Sequence, residues 1–100
     1  MNRYESLLRN EAAARRQTAM ASAARALGTL RALGVRARLI GSLADEPSKF
    51  RNDSDIDILV EDRNGIDEIV LFLETEKQID DIPFDLVFLE SVPEEMRKFL

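Results

Sequence analysis

The first third of the chain sets the strongest limit on its fold. Residues 3 to 33 contain no proline and are dominated by alanine, leucine, arginine and glutamate, which lose little on entering a helix. An unbroken helix over this stretch is roughly 45 Å long at a rise of about 1.5 Å per residue. That exceeds the diameter of a 100-residue domain. Its first turns must therefore project, bend or pack against a partner, and an oligomer built through this helix is an expectation. Met20, Ala23, Leu27 and Leu30 recur at spacings of three and four, which predicts one buried stripe. Tyr4, Leu7 and Leu8 begin a similar stripe, which residues 12 to 16 weaken. Gly34 suits the residue just past the helix end.

Downstream, residues 35 to 40 alternate like a strand, with Val35, Ala37 and Leu39 on one side and Arg36 and Arg38 on the other. Residues 43 to 54 read as a polar loop, and residues 56 to 60 as a second strand rich in branched side chains. Asn64-Gly65 marks a turn. Ile66, Ile69, Val70 and Leu73, with Phe72 a further candidate, keep helical spacing within residues 66 to 79, predicting a second helix there. Residues 83 to 89 form a third strand. Ser91, Pro93 and Glu94 then have the pattern of a helix start. The expected order is α-β-β-α-β-α in one α+β domain spanning 1–100. Its parts are a long N-terminal helix (1–34), a core with a small mixed sheet of about three strands (35–90) and a C-terminal helix (91–100).

Composition narrows the chemistry. Cysteine and histidine are both absent, so thiolate zinc sites, disulfides and histidine-based catalysis are excluded within these residues. A metal would need oxygen ligands, which points to magnesium or manganese. The net charge of −5 argues against direct DNA binding, because counterion displacement needs a basic face. The amino-terminal residues lack the apolar core of a signal peptide, and no apolar run is long enough for a bilayer. No membrane association and a cytoplasmic location are the expectations.

Four elements could carry chemistry. Gly41-Ser42 follows the first strand directly: glycine lets backbone approach a ligand, and serine offers a hydroxyl to a phosphate. Taken alone, such a pair is most often just a turn. Asp55-Ile56-Asp57 opens the second strand, and alternation sends both carboxylates to one face. Two carboxylates so placed repel each other unless they share a cation. Capping at the loop end accounts for Asp55 but poorly for Asp57, since aspartate is disfavoured in strands. Asp85 interrupts Phe84-Asp85-Leu86-Val87-Phe88-Leu89, either as an edge-strand charge or as a third carboxylate of the same site. If the first two strands are antiparallel neighbours and the third adjoins the second, all these residues meet at one end of the sheet. Lys49 and Arg51, in the intervening loop, are candidates to screen phosphate charge or are solvated loop residues. Nuclease and glycosyltransferase readings account for the paired aspartates but not for Gly41-Ser42 or Asp85.

Together, Gly41-Ser42, the twelve-residue loop, Asp55-Ile56-Asp57 and Asp85 resemble the DNA polymerase β-type nucleotidyltransferase superfamily. Within it, the chain is similar to the minimal nucleotidyltransferases over residues 35 to 90. The resemblance implies the minimal nucleotidyltransferase fold, with Gly41 and Ser42 holding the triphosphate of ATP. It also implies that Asp55 and Asp57 bind the metals, and that Asp85 completes one metal site and helps activate an acceptor hydroxyl. The family's short turn containing arginine and glycine is replaced here by Leu43-Ala44-Asp45-Glu46-Pro47. Many such proteins are antitoxins encoded beside a helical HEPN toxin, and some transfer AMP to a tyrosine on it. The implied function is therefore AMP transfer from ATP to a hydroxyl of such a partner. The alternative is an antitoxin that neutralises its partner by docking, without catalysis.

Overall fold

Asn2 starts the first helix by accepting a hydrogen bond from the Glu5 backbone N–H at 2.8 Å, while Glu5 Oε1 accepts from Asn2 Nδ2 at 3.4 Å. In the computed structural model, which describes residues 2 to 100, α1 then runs unbroken over Arg3–Ala32. It ends where Gly34 takes a φ of +77° and the Val35 N–H turns back to the Leu30 carbonyl at 3.0 Å. Three strands follow: β1 (Arg36–Ile40), β2 (Ile56–Asp62) and β3 (Phe84–Phe88), with α2 (Glu68–Glu76) between the last two. They form one mixed sheet in the order β1-β2-β3, with β1 antiparallel and β3 parallel to β2. The chain is thus a small α+β protein. No helix among the described residues is long and apolar enough to cross a membrane.

One face of the sheet carries the core. Ile56, Ile58 and Val60 of β2 are buried together with Ala19, Ala23, Ala26 and Leu30 of α1 and Leu71 of α2. The predicted stripe on α1 is therefore displaced. Ala23 and Leu30 are buried as expected and Leu27 partly so, but Met20 is exposed and Ala19, Ser22 and Ala26 take the packing role. Small side chains let the helix lie close to its neighbours. Ser22, fully buried, is satisfied there: its Oγ accepts from the Asp80 N–H and from Arg25 Nη2, each at 3.2 Å. Arg25 also donates to the Gln78 carbonyl and pairs with Asp80 at 2.8 Å, tying α1 to the turn before β3.

Three further expectations need correction. The second helix is shorter than residues 66 to 79, and its buried residues are Leu71 and Thr75, whereas Ile69, Val70, Phe72 and Leu73, whose spacing marks the helix, are substantially exposed. The loop between β1 and β2 is more ordered than a polar connection, with 3-10 turns over Gly41–Ala44 and Pro47–Lys49. Leu43 and Phe50 pin it to the core, each contributing roughly 1.5–3 kcal/mol by burial. The last segment, Glu94–Phe99, is a 3-10 helix and buries none of its residues, although Pro93 does stand at its start.

Candidate functional site

The pleat of β2 separates its side chains. Ile56, Ile58 and Val60 enter the core, so Asp57, Leu59 and Glu61 stand on the opposite face. Register then decides which residues accompany Asp57. It lies between Ile40 of β1 and Asp85 of β3, and directly paired residues share a face. Adjacent strands are about 4.8 Å apart, so Asp57 and Asp85 stand side by side with no residue between them. Asp55, two residues upstream and exposed, completes the acidic row. The Ile56 N–H between the two aspartates donates to the Pro83 carbonyl at 3.0 Å, which fixes this entry to β3.

Gly41 approaches the same point from β1. Its φ is +73°, and a Cβ placed on it would sit 2.5 Å from Asp57 Oδ2. The strand exit is therefore glycine for two separate reasons: its left-handed backbone, and the carboxylate packed against it. Ser42 follows, partly buried, in a turn anchored by Leu43. The structure thus brings Gly41, Ser42, Asp55, Asp57 and Asp85 to one end of the sheet. Among the described residues neither Lys49 nor Arg51 forms a salt bridge with these carboxylates. Lys49 pairs with Glu46 at 3.9 Å, while Arg51 is exposed; its backbone N–H donates to Ser54 Oγ at 2.8 Å and its carbonyl accepts from the Ser54 N–H at 3.1 Å.

Charge at the site is left uncompensated. Among the described residues Asp55, Asp57 and Asp85 form no salt bridge. The Asp57 carboxyl is pushed above the ordinary aspartate value of 3.8, first by burial and then by the charges of Asp85 and Asp55. A divalent cation would relieve this repulsion, and an all-carboxylate donor set suits magnesium or manganese. The fit lies in the donor chemistry and not in a finished cage. Among the described residues no three carboxylates converge closely enough to hold an ion by themselves. Asp57 and Asp85, with Asp55 beside them, would hold such an ion together with oxygens from a ligand.

Two neighbours of the site carry no motif. An open groove of about 470 Å³ borders Gly41, walled by Arg38, Ile40, Asp45, Phe99 and Leu100. The other neighbour is Arg15, from the middle of α1. Its Nη2 donates to the Ser54 carbonyl at 2.7 Å, and its guanidinium lies 6.0 Å from the Phe50 ring centroid. Helical spacing puts Arg15 on the side of α1 that faces the loop, but only the fold shows that this loop reaches it. Replacing Arg15 by alanine is expected to cost about 1–3 kcal/mol, the worth of a charged hydrogen bond. It should also loosen the residue preceding Asp55. Urea unfolding measures the first effect; faster amide exchange at Asp55 and Ile56 measures the second.

Compared with protein-family models, with characterised proteins and with solved structures, the chain finds no match.

Proposed function

We propose that the chain is a metal-dependent nucleotidyltransferase that moves AMP from ATP to a hydroxyl, with a partner protein such as a HEPN toxin as acceptor. The observation that carries this reading is the seating of Gly41 against Asp57, itself side by side with Asp85 on the sheet face opposite Ile56 and Ile58. The turn at Gly41 and Ser42 offers backbone and a hydroxyl to phosphate oxygens. Asp55, Asp57 and Asp85 gather negative charge that a divalent ion and a triphosphate together would satisfy.

A bound magnesium or manganese ion supplies charge neutralisation and alignment for an in-line displacement. The acceptor oxygen forms a bond to the α-phosphorus as the bond to pyrophosphate breaks, and the hydroxyl proton passes to a carboxylate. Asp85 takes that role by resemblance, and its exposure on the edge strand leaves it open to an incoming acceptor. Asp57 is less accessible and more constrained, which suits a ligand that stays in place. Positioning and electrostatics supply most of the rate in such transfers.

The docking-only reading draws on different observations: among the described residues Lys49 and Arg51 form no ion pair with the carboxylates, and apolar side chains are exposed on both helices. Incubating the natively purified complex with α-labelled ATP and magnesium separates the two. Transfer predicts label on the partner and a mass increase of one AMP. An unlabelled, unmodified and still neutralised partner overturns transfer and leaves docking.

A further inference from the structure

Asp57 lies on the central strand, with Asp85 beside it on β3 and Ile40 beside it on β1, all on one sheet face. Leu59, two residues along β2 on the same face, is only 1% exposed. The face is therefore closed beyond Asp57. A ligand that sits on the carboxylates and keeps contact with the protein extends sideways, over one edge strand or the other. On the β3 side stands Asp85, the carboxylate open to an incoming acceptor. On the β1 side lies the open groove beside Gly41.

That groove has the make-up of a nucleoside site. Arg38 pairs with Leu59 and Ile40 with Asp57, so both of these wall residues belong to the carboxylate face. Gly41 is common to the two places: it lines the groove, and it is packed against Asp57. A phosphate held at Gly41 and Ser42 thus leaves the rest of its molecule at the mouth of the groove. The volume, about 470 Å³, falls within the roughly 300–1,000 Å³ of small-molecule sites. Its lining is mixed: Leu39, Ile40 and Phe99 are apolar, whereas Arg38 offers donors and Asp45 an acceptor. A nucleobase has the same division, with flat apolar faces and a polar edge. Core packing does not account for Phe99, which is 71% exposed at the end of Glu94–Phe99, a segment that buries none of its residues. With so much of the ring exposed, a flat partner can stack on it.

We infer that the groove between β1 and Glu94–Phe99 holds the nucleoside of the triphosphate, with the base stacked on Phe99 and its edge facing Arg38 and Asp45. This rests on the nucleotidyl-transfer reading and adds the other half of the substrate site. Nucleoside and acceptor then approach from opposite edges of the sheet, the first over β1 and the second over β3, so neither blocks the other.

The chain has no tryptophan, so Phe99→Trp places a single indole at the groove. Its fluorescence should be quenched by ATP with magnesium and not by inorganic triphosphate with magnesium. Calorimetry supplies the second measurement. Phe99→Ala should weaken ATP binding roughly tenfold or more, the scale of one lost stack between a base and an aromatic ring, and leave triphosphate binding unchanged. Met96→Ala, at a 49%-exposed position of the same segment outside the groove, should change neither. ATP binding without quenching, or a Phe99→Ala variant that binds ATP like wild type, overturns the groove assignment and leaves nucleotidyl transfer standing. Equal losses of ATP and triphosphate binding overturn it as well, because the ring would then serve the fold and not the base. A wild type that binds neither ATP nor triphosphate overturns both readings.

Discussion

Replacing Asp57 by asparagine is expected to raise the melting temperature at neutral pH while reducing nucleotidyl transfer by at least about 10²–10³-fold, the scale of losing one preorganised electrostatic partner of a transition state. The stability half follows from the sign of the pKa shift. Burial, Asp85 and Asp55 all push the Asp57 carboxyl above its unfolded value. The fold therefore favours the protonated form, and stability falls as pH rises through the folded pKa. Asparagine keeps the shape and discards the charge, so its advantage should be present at neutral pH. That advantage should fade as pH drops toward the ordinary aspartate value of 3.8. Magnesium provides the complementary measurement: it should raise the wild-type melting temperature in proportion to its occupancy and leave the asparagine variant unmoved. An asparagine variant less stable than wild type at pH 7 would make Asp57 a structural strand residue and remove the main support for the site.

Gly41→Ala is expected to harm both stability and transfer. The added Cβ meets a left-handed backbone and lands 2.5 Å from Asp57 Oδ2. Holding an ordinary residue in that backbone region costs roughly 1–3 kcal/mol, and displacing Asp57 adds to it. In a domain this small each kcal/mol lowers the melting temperature by about 4–8 °C. Gly28→Ala is the matched control. A Cβ at Gly28 meets nothing within 4 Å inside α1, so that change should stabilise the protein by about 0.5–1 kcal/mol. Opposite signs at the two glycines, read by thermal melts, would tie the loss at Gly41 to the site. In an Asp57→Ala background most of the Gly41 clash is gone, and the remaining cost isolates the backbone.

The fold was most legible where backbone preference and pattern coincide. The proline-free run gave α1, the branched alternations gave three strands, and the i, i+2 spacing put Asp55 and Asp57 on one face. What the sequence concealed has physical reasons. The buried stripe of α1 is made largely of small residues, so a reading guided by large apolar side chains fell on Met20, which is exposed. The nine-residue α2 is apolar on several sides, and periodicity cannot choose among them; its buried pair is Leu71 and Thr75. Within the loop, the isolated Leu43 and Phe50 gave no periodic signal, yet both are core residues. At the site, the pairing of Asp57 with Asp85 depends on strand register, which the sequence allowed but did not require. For Lys49 and Arg51 the sequence offers only charge and a place in the loop, and among the described residues neither pairs with the carboxylates.

The position of Asp85 has a consequence for how such a chain could change over time. β3 is an edge strand, and its segment is otherwise a continuous apolar run with the makings of a β-aggregating sequence. A carboxylate near the start of it opposes edge-to-edge pairing with other molecules, whatever else that carboxylate does. Selection for solubility would therefore hold an acidic residue at position 85 even in a descendant that had abandoned transfer. Asp57 has no such second employment, because it lies on the central strand and its ionised form burdens the fold. In a drifting lineage the inner carboxylate would be lost first, and the outer one would remain as a gatekeeper.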